Sequence, residues 1–200
     1  LWMHPDHGHL TAAIEDPDEA LRRRLEVARS AGVPEEPLRR FSQRRRGGAS
    51  GVAEIVEPDR ALVDGVAVDT DVGSWQAVET PGHAPSHVCL WQPERRLLIS
   101  GDHLLGRISL YYDYGYSPDP VGEFLSSLDA VEAFGARLAL PGHGRTFADV
   151  DAHIEGNRAL VNERLDALLA ALAGRGPMTA FAAVPAVHGA EATAANASWW

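Results

Sequence analysis

Three short motifs in this sequence combine glycine with histidine or aspartate, and each directly follows an apolar run. They are Thr80-Pro81-Gly82-His83, Gly101-Asp102-His103 and Pro141-Gly142-His143-Gly144. Imidazole nitrogens are common ligands of transition metals, and one carboxylate can span two cations. The glycines permit tight turns and a close approach of the backbone to an ion. The motifs therefore predict a metal site, although the ligand types alone do not choose among Zn, Mn and Fe.

The apolar runs before the motifs have the length of β-strands. The first motif follows Trp75–Glu79, the second follows Leu97–Ser100 and the third follows Leu138–Leu140. The candidate ligands are separated by 19 and then 41 residues, so each arrives on a different strand. We therefore expect a sheet to hold the ligands at its strand ends, with loops that leave an open face for a substrate.

Further strands and turns are predicted between residues 1 and 100. The pair Asp64-Gly65 stands between Ala61–Val63 and Val66–Val68, a pattern that predicts a β-hairpin. Leu1–Met3 is predicted as a short strand, and Val88–Trp91 as a longer one.

Four helices are predicted from capping residues and from apolar residues at helical spacing. Asp16 and Asp119 each precede a proline, a pattern typical of a helix N-terminus. The predicted helices start at Asp16, Glu35, Asp119 and Asp149, and they end near Gly32, Arg46, Phe134 and Gly174 respectively. The stretch Gly47–Gly51 is predicted to be a flexible connection.

The sequence around the three motifs resembles the metallo-β-lactamase fold superfamily, and within it the glyoxalase II-like and lactamase-B2-like hydrolases. The matching segments are TPGHAPSH at 80–87, LISGDH at 98–103 and LPGHG at 140–144. The resemblance covers about residues 52 to 172. It implies a mixed α/β (α+β) fold, an αββα sandwich with metals at one edge, which we expect to be truncated at its N-terminus here.

The resemblance also implies a role for each motif residue. His83 would bind the first of two divalent metal ions, His143 the second, and Asp102 would bridge both as the catalytic carboxylate. Zn is favoured over Mn or Fe, and a water whose pKa is lowered by the cations would be the nucleophile. His87 and His103 would support the ligands or line the pocket. Substrate-binding residues remain unknown, because they lie on variable loops in this superfamily.

The sequence departs from the family at its N-terminus. The family carries His-x-His-x-Asp-His, and the nearest segment here is Trp2-Met3-His4-Pro5-Asp6-His7. Either His4, Asp6 and His7 are ligands in a degenerate motif, or the true motif lies upstream of Leu1. We favour the second hypothesis, in which this chain would bind metal weakly and hydrolyse little.

Three functions are compatible with this pattern. The first is a metal-dependent hydrolase acting on an ester, thioester or lactone-like carbonyl of a small molecule. The second is a mononuclear iron sulfur dioxygenase of the same fold. The third is a non-catalytic remnant with an incomplete site. Residues 1–174 are predicted to be the C-terminal portion of a metallo-β-lactamase-like domain, and residues 175–200 the start of a winged-helix-like module.

Composition restricts the partners and the compartment. The net charge of −10 argues against a broad basic face for nucleic acid, and Arg22-Arg23-Arg24 and Arg44-Arg45-Arg46 are interpreted as solvated helix faces. No apolar stretch reaches the roughly 18 residues that span a bilayer. Cys89 is the only cysteine, which excludes an internal disulfide and favours a reducing compartment such as the cytoplasm. We expect Cys89 to be buried.

Overall fold

The computed structural model describes residues 1–45, 56–112 and 116–189. The chain divides into two compact units, one of Leu1–His9 with Val56–Val161 and one of Leu10–Ile55 with Asn162–Trp200. The described helices are α1 (Gly8–Glu15), α2 (Pro17–Ser30), α3 (Glu35–Arg45), α4 (Pro120–Glu132), α5 (Val150–Arg175) and α6 (Ala180–His188). The described strands are β1 (Trp2–Met3), β2 (Arg60–Ala61), β3 (Ala67–Thr70), β4 (Gly73–Glu79), β5 (Val88–Gln92), β6 (Leu97–Gly101) and β7 (Leu138–Pro141).

The first unit is built on a five-stranded sheet with the order β3-β4-β5-β6-β7. Strands β3 to β6 are antiparallel neighbours, whereas β7 runs parallel to β6. A parallel neighbour requires a crossover connection, and α4 lies in the segment between β6 and β7. The mixed α/β fold that the sequence predicts is confirmed.

The core of this unit joins the sheet to α4 and to the start of α5. Leu98 of β6 and Ala139 of β7 are fully buried in one cluster with Leu128 of α4 and Ile154 of α5. Alternation along β6 sends Leu98 inward, while Ile99 is partly exposed on the other face. The strands that end at the predicted ligands therefore rest on a packed apolar layer.

Both predicted N-caps are confirmed. The carboxylate of Asp16 accepts a hydrogen bond from the backbone N–H of Glu19 at 2.9 Å, and that of Asp119 accepts one from Gly122 at the same distance. Proline occupies the first helical position after each cap, where its missing N–H costs nothing. These local signals place the starts of α2 and α4 at the predicted residues.

The predicted hairpin at Asp64-Gly65 is wrong in its pairing. The turn exists, because the N–H of Val66 donates to the carbonyl of Val63 at 3.1 Å. However, β2 pairs with β1 in a separate two-stranded parallel sheet, and β3 pairs with β4. The turn residues were sufficient to predict a reversal of the chain, but strand partners are set by non-local pairing.

The observed helices differ from the predicted ones in two places. The structure contains α1, which the sequence did not predict, and α5 continues past Gly174 to Arg175. The turn that ends α5 is at Gly176, which has a positive φ of 77° and donates its N–H to the carbonyl of Leu172. The predicted connection at Gly47–Gly51 lies outside the described residues.

The second unit contains α2, α3 and α6. Its small core consists of Ala28, Val33 and Leu38, with Leu25 and Phe181 packed against them. The N–H of Phe181 donates to the carbonyl of Ala31 at 2.9 Å, which ties α6 to the end of α2. The assignment of 175–200 to a separate module stays a prediction. Within the described residues, no helix has the length and apolar character needed to cross a bilayer.

Candidate metal centre

The three predicted ligands lie in loops at the ends of β4, β6 and β7. His83 is in the loop 80–87, which the N–H of Thr80 closes by donating to the carbonyl of His87 at 2.9 Å. At the end of the parallel pair, Gly101 lies beside Pro141, and the N–H of Gly142 donates to the carbonyl of Gly101 at 2.7 Å. The residues that follow, Asp102 and His143, therefore start from neighbouring backbone positions.

Asp102 lies between the two histidines. Its Oδ2 is 3.7 Å from Nε2 of His83, and its Oδ1 is 3.3 Å from Nε2 of His143. The side chains of His83 and Asp102 are 25% and 34% exposed, whereas that of His143 is 70% exposed. The site is thus supported on the His83 side and open to solvent on the His143 side.

The orientation of His83 is fixed by a backbone carbonyl. Nδ1 of its ring lies 3.1 Å from the carbonyl oxygen of Tyr111, which can only accept a hydrogen bond. The proton is therefore assigned to Nδ1, and Nε2 presents its lone pair toward Asp102. A second hydrogen bond of this kind is what orients metal-binding histidines in proteins.

The residues present fit divalent metal ions. Oδ1 of Asp102 is inaccessible to solvent and accepts no hydrogen bond. Burying a carboxylate oxygen in this way costs free energy unless a cation satisfies it. A Cβ at Gly142 would lie 2.5 Å from this oxygen, so glycine is needed for the close approach. Within the described residues, no three His, Cys, Asp or Glu side chains converge so as to hold one ion. The contacts are instead pairwise, with one imidazole at each carboxylate oxygen.

His87 contacts the backbone of Asp102 and does not face the carboxylate. The N–H of Asp102 donates to Nε2 of His87 at 3.1 Å, and Nδ1 of His87 lies 2.7 Å from Oγ1 of Thr80. Burial, together with the neighbouring His83, lowers the pKa of His87 to about 4, against the opposing effect of Asp102. The ring is therefore neutral at pH 7, with both nitrogens engaged.

His103 lies in the interior behind Asp102. Its ring is 5.0 Å from that of Phe124 in an edge-on contact, and the residue is almost fully buried. Burial lowers the pKa of His103 to about 3, so the ring is neutral. The structure places it among core residues.

Of the N-terminal candidates, His4 is held by protein partners. Nδ1 of His4 accepts a hydrogen bond from the N–H of Asp6 at 3.1 Å, and Nε2 contacts Oε1 of Glu79 at 3.1 Å. Both ring nitrogens of His4 are therefore occupied by protein partners. The hypothesis that His4, Asp6 and His7 are ligands stays a prediction.

Sequence reasoning missed two supporting contacts. The carbonyl of Tyr111 has no signature, because every residue has a backbone carbonyl. The ring of His153 in α5 stacks on Phe147 at 4.1 Å, and its two nitrogens face the carbonyls of Asp149 and Gly106. The histidine thereby ties α5 to the loop that follows Asp102.

The sheet of this α/β unit thus presents two histidines at its strand ends, with an aspartate between them. The profile of the Metallo-beta-lactamase superfamily matches residues 4–143, and the chain belongs to this superfamily. A solved metallo-beta-lactamase family protein from Thermus thermophilus superimposes with a TM-score of 0.74 at 28% identity, covering 94% of this chain and 60% of that one. A beta-lactamase domain protein from Burkholderia ambifaria gives a TM-score of 0.63 at 33% identity, covering 75% and 48%.

Among curated proteins, the chain is similar to the atrochrysone carboxyl ACP thioesterase of Aspergillus chevalieri. The two are 28% identical over 144 residues, which are 66% of this chain and 44% of the relative. This chain thus spans less than half the length of that relative.

Proposed function

We propose that this protein is a metal-dependent hydrolase that cleaves an ester or thioester bond in a small-molecule substrate. The observation that carries the proposal is the position of Asp102, whose two oxygens face imidazoles from two different loops. Support for a thioester comes from the similarity to the thioesterase of Aspergillus chevalieri. A lactone-like carbonyl would meet the same groups, because it is also an ester.

Three side chains of the site would together hold two divalent ions, with Zn as the first candidate. His83 and His143 would each hold one ion through Nε2, and Asp102 would be shared between them. When bound, such ions polarise a carbonyl and lower the pKa of a water molecule so that it can act as the nucleophile. The chain keeps its ligands oriented before substrate arrives, since the carbonyl of Tyr111 holds His83, and the peptide group between Gly101 and Asp102 is hydrogen-bonded to His87 and to Gly142.

The open side of the site would admit the substrate. The exposed His143 lies on this side, and the ring of Tyr111 lies 5.5 Å from that of His83 with the residue 49% exposed. A flat amphipathic ring at this position can contact the acyl group while its hydroxyl remains in water. The reacting carbonyl would then be placed between the two histidines.

The test is metal binding and thioester cleavage by the purified chain in Zn-supplemented buffer. Because each ion would have only two of these protein ligands, we expect weakly bound Zn at saturating concentration and slow release of thiol from an acyl-coenzyme A, with both reduced at least tenfold in His83→Ala and Asp102→Asn. The matched control is His188→Ala, because His188 is an exposed histidine of the other unit. Equal Zn in the wild type and both site variants, or no thiol release by the Zn-loaded protein, would overturn the proposal.

A further inference from the structure

We propose that His87 and Thr80 are positioning residues for Asp102, acting through a one-way chain of hydrogen bonds that fixes which nitrogen of His87 carries the proton. The inference rests on the proposed function, because Asp102 is positioned here as the ligand that the two metal ions would share. Its evidence is a continuous path of polar groups that begins at the half-buried Asp102 and His87 and passes through the fully buried Thr80 and Cys89 to the backbone of β6.

The path begins at a group that can only donate. The backbone N–H of Asp102 points at Nε2 of His87 at 3.1 Å, so Nε2 must accept and carries no proton. In a neutral imidazole the proton then lies on Nδ1. Nδ1 is 2.7 Å from Oγ1 of Thr80, to which it donates.

The path continues in the same direction through Thr80 and Cys89. Because Oγ1 of Thr80 accepts from His87, its own proton is free to point at Sγ of Cys89, 3.3 Å away. The thiol of Cys89 donates in turn to the carbonyl of Ser100 at 3.5 Å. A carbonyl can only accept, so both ends of the path fix the direction of every hydrogen bond between them.

Burial prevents water from changing the direction of these hydrogen bonds. Thr80, Cys89 and Ser100 are fully buried, so water does not compete for their polar groups. Moving the proton of His87 to Nε2 would set two N–H groups against each other and leave Oγ1 of Thr80 without a donor. The arrangement therefore permits one tautomer of His87.

The consequence for Asp102 is a backbone held from two sides. Gly101, with a positive φ of 50°, lies so close to His87 that a Cβ there would be 2.6 Å from Nε2. On the other side, the N–H of Gly142 donates to the carbonyl of Gly101. The turn between these contacts determines where the carboxylate of Asp102 points.

The loop 80–87 thus has two functions in the site. It carries His83 as a candidate ligand, and its two ends, Thr80 and His87, hold the next candidate ligand in place. This explains why the sequence contains a second histidine four residues after the first, although the second does not face the carboxylate.

The test is the tautomer of His87 in metal-free protein labelled with ¹⁵N-histidine, read from two-bond nitrogen–proton correlations at pH 7.5. We expect the proton on Nδ1 in the wild type. Thr80→Val keeps the shape but removes the hydroxyl, and should lose the single tautomer. Amide hydrogen exchange of Asp102 should then accelerate at least tenfold, and Zn affinity should fall about 10- to 100-fold. Thr80→Ser should restore wild-type values.

The control for a merely structural effect is Ser127→Ala. The buried hydroxyl of Ser127 donates to the carbonyl of Pro81 at 2.9 Å, in the same loop but outside the path. We expect Ser127→Ala to leave the tautomer and the exchange rate of Asp102 unchanged. A proton on Nε2 in the wild type, or unchanged Asp102 exchange in Thr80→Val, would overturn the inference.

The two proposals fail separately. The tautomer and amide exchange are measured without metal, so they decide the role of His87 even when the wild type binds no Zn. Absence of Zn binding in the wild type would overturn the proposed function alone. Should Thr80→Val fail to fold, the tautomer of the wild type decides the inference by itself.

Discussion

At the scale of single residues, the site depends on how closely backbone can approach Asp102. Gly142 and Gly101 are next to the carboxylate and to the ring of His87, where no side chain fits. These two motif glycines are therefore explained by the space that their neighbours occupy.

Gly142→Ala is expected to weaken Zn binding at least tenfold. The added Cβ would lie 2.5 Å from Oδ1 of Asp102 and 3.2 Å from the carbonyl carbon of Gly101, so the carboxylate must move. Isothermal titration with Zn measures the effect. The control is Gly174→Ala, since no atom lies within 4 Å of a Cβ there. Equal affinities in the two variants would contradict the role of Gly142.

Cys89 is expected to resist thiol reagents in the folded protein. It is fully buried, and burial raises the pKa of its thiol to about 12. The thiolate is the reactive form, so its fraction in the folded state at pH 8 is negligible. A colorimetric disulfide reagent should react with less than a tenth of the thiol in native protein within an hour, and with all of it in urea. Rapid native labelling would show that Cys89 is accessible.

The same residue should make the fold sensitive to alkali. A thiol whose pKa is raised on folding contributes stability that is complete below pH 9 and is lost as the pH rises toward 12. Wild type should therefore lose about 2–3 kcal/mol more than Cys89→Ala between pH 8 and pH 11. Urea unfolding at the two pH values measures this. Parallel losses in both proteins would show that Cys89 ionises freely.

At the scale of elements, α4 provides the crossover that lets β7 pair with β6. Its start depends on Asp119, and its buried face includes Phe124, Leu128 and Val131. A weaker helix would therefore reduce the stability of the part of the sheet that carries Asp102 and His143.

Asp119→Ala is expected to lower the free energy of unfolding by about 1 kcal/mol, because an N-cap that satisfies a helix N–H contributes this much. Asp119→Asn should cost only a few tenths, since asparagine caps equally well. Urea unfolding followed by circular dichroism measures both. A loss as large in Asp119→Asn as in Asp119→Ala would indicate that the charge matters and the cap does not.

The elements also show what could be predicted from the sequence. The caps at Asp16 and Asp119 were predictable, because capping depends on a few adjacent residues. The pairing of β2 with β1 was not, because it joins residues about 60 positions apart and β-propensity does not select a partner. The motif residues around Asp102 were predictable by type, whereas the path through Thr80 and Cys89 depends on the register of β4, β5 and β6.

At the scale of the whole molecule, charge distinguishes two interpretations of the arginine-rich helices α2 and α3, which are a surface that binds nucleic acid and faces that are only solvated. The net charge is −10, and all 18 basic residues are arginine. On α2, Arg22 and Arg23 contact Glu19, and on α3, Arg39 and Arg40 contact Glu36. Exposed pairs of this kind contribute little to stability, but they neutralise the arginines locally.

We therefore expect no binding to nucleic acid. A 30-base-pair DNA duplex should show no mobility shift with 10 μM protein at 150 mM salt, because arginines that already face carboxylates are poorly placed to displace counterions. The double variant Glu19→Gln with Glu36→Gln would remove the carboxylates that these arginines contact, and its mobility shift is compared with that of the wild type. A shift by the wild type would show that α2 and α3 form a phosphate-binding surface.

The parallel pairing of β6 with β7 has a consequence for the timing of folding. Asp102 and His143 are 41 residues apart and become neighbours only after β7 aligns with β6. Contacts between distant residues form slowly, because the intervening chain must first lose its freedom. A chain emerging from the ribosome therefore cannot assemble these ligands until β7 has been synthesised. Metal binding would then follow completion of the sheet, and bound metal would indicate that the first unit has folded.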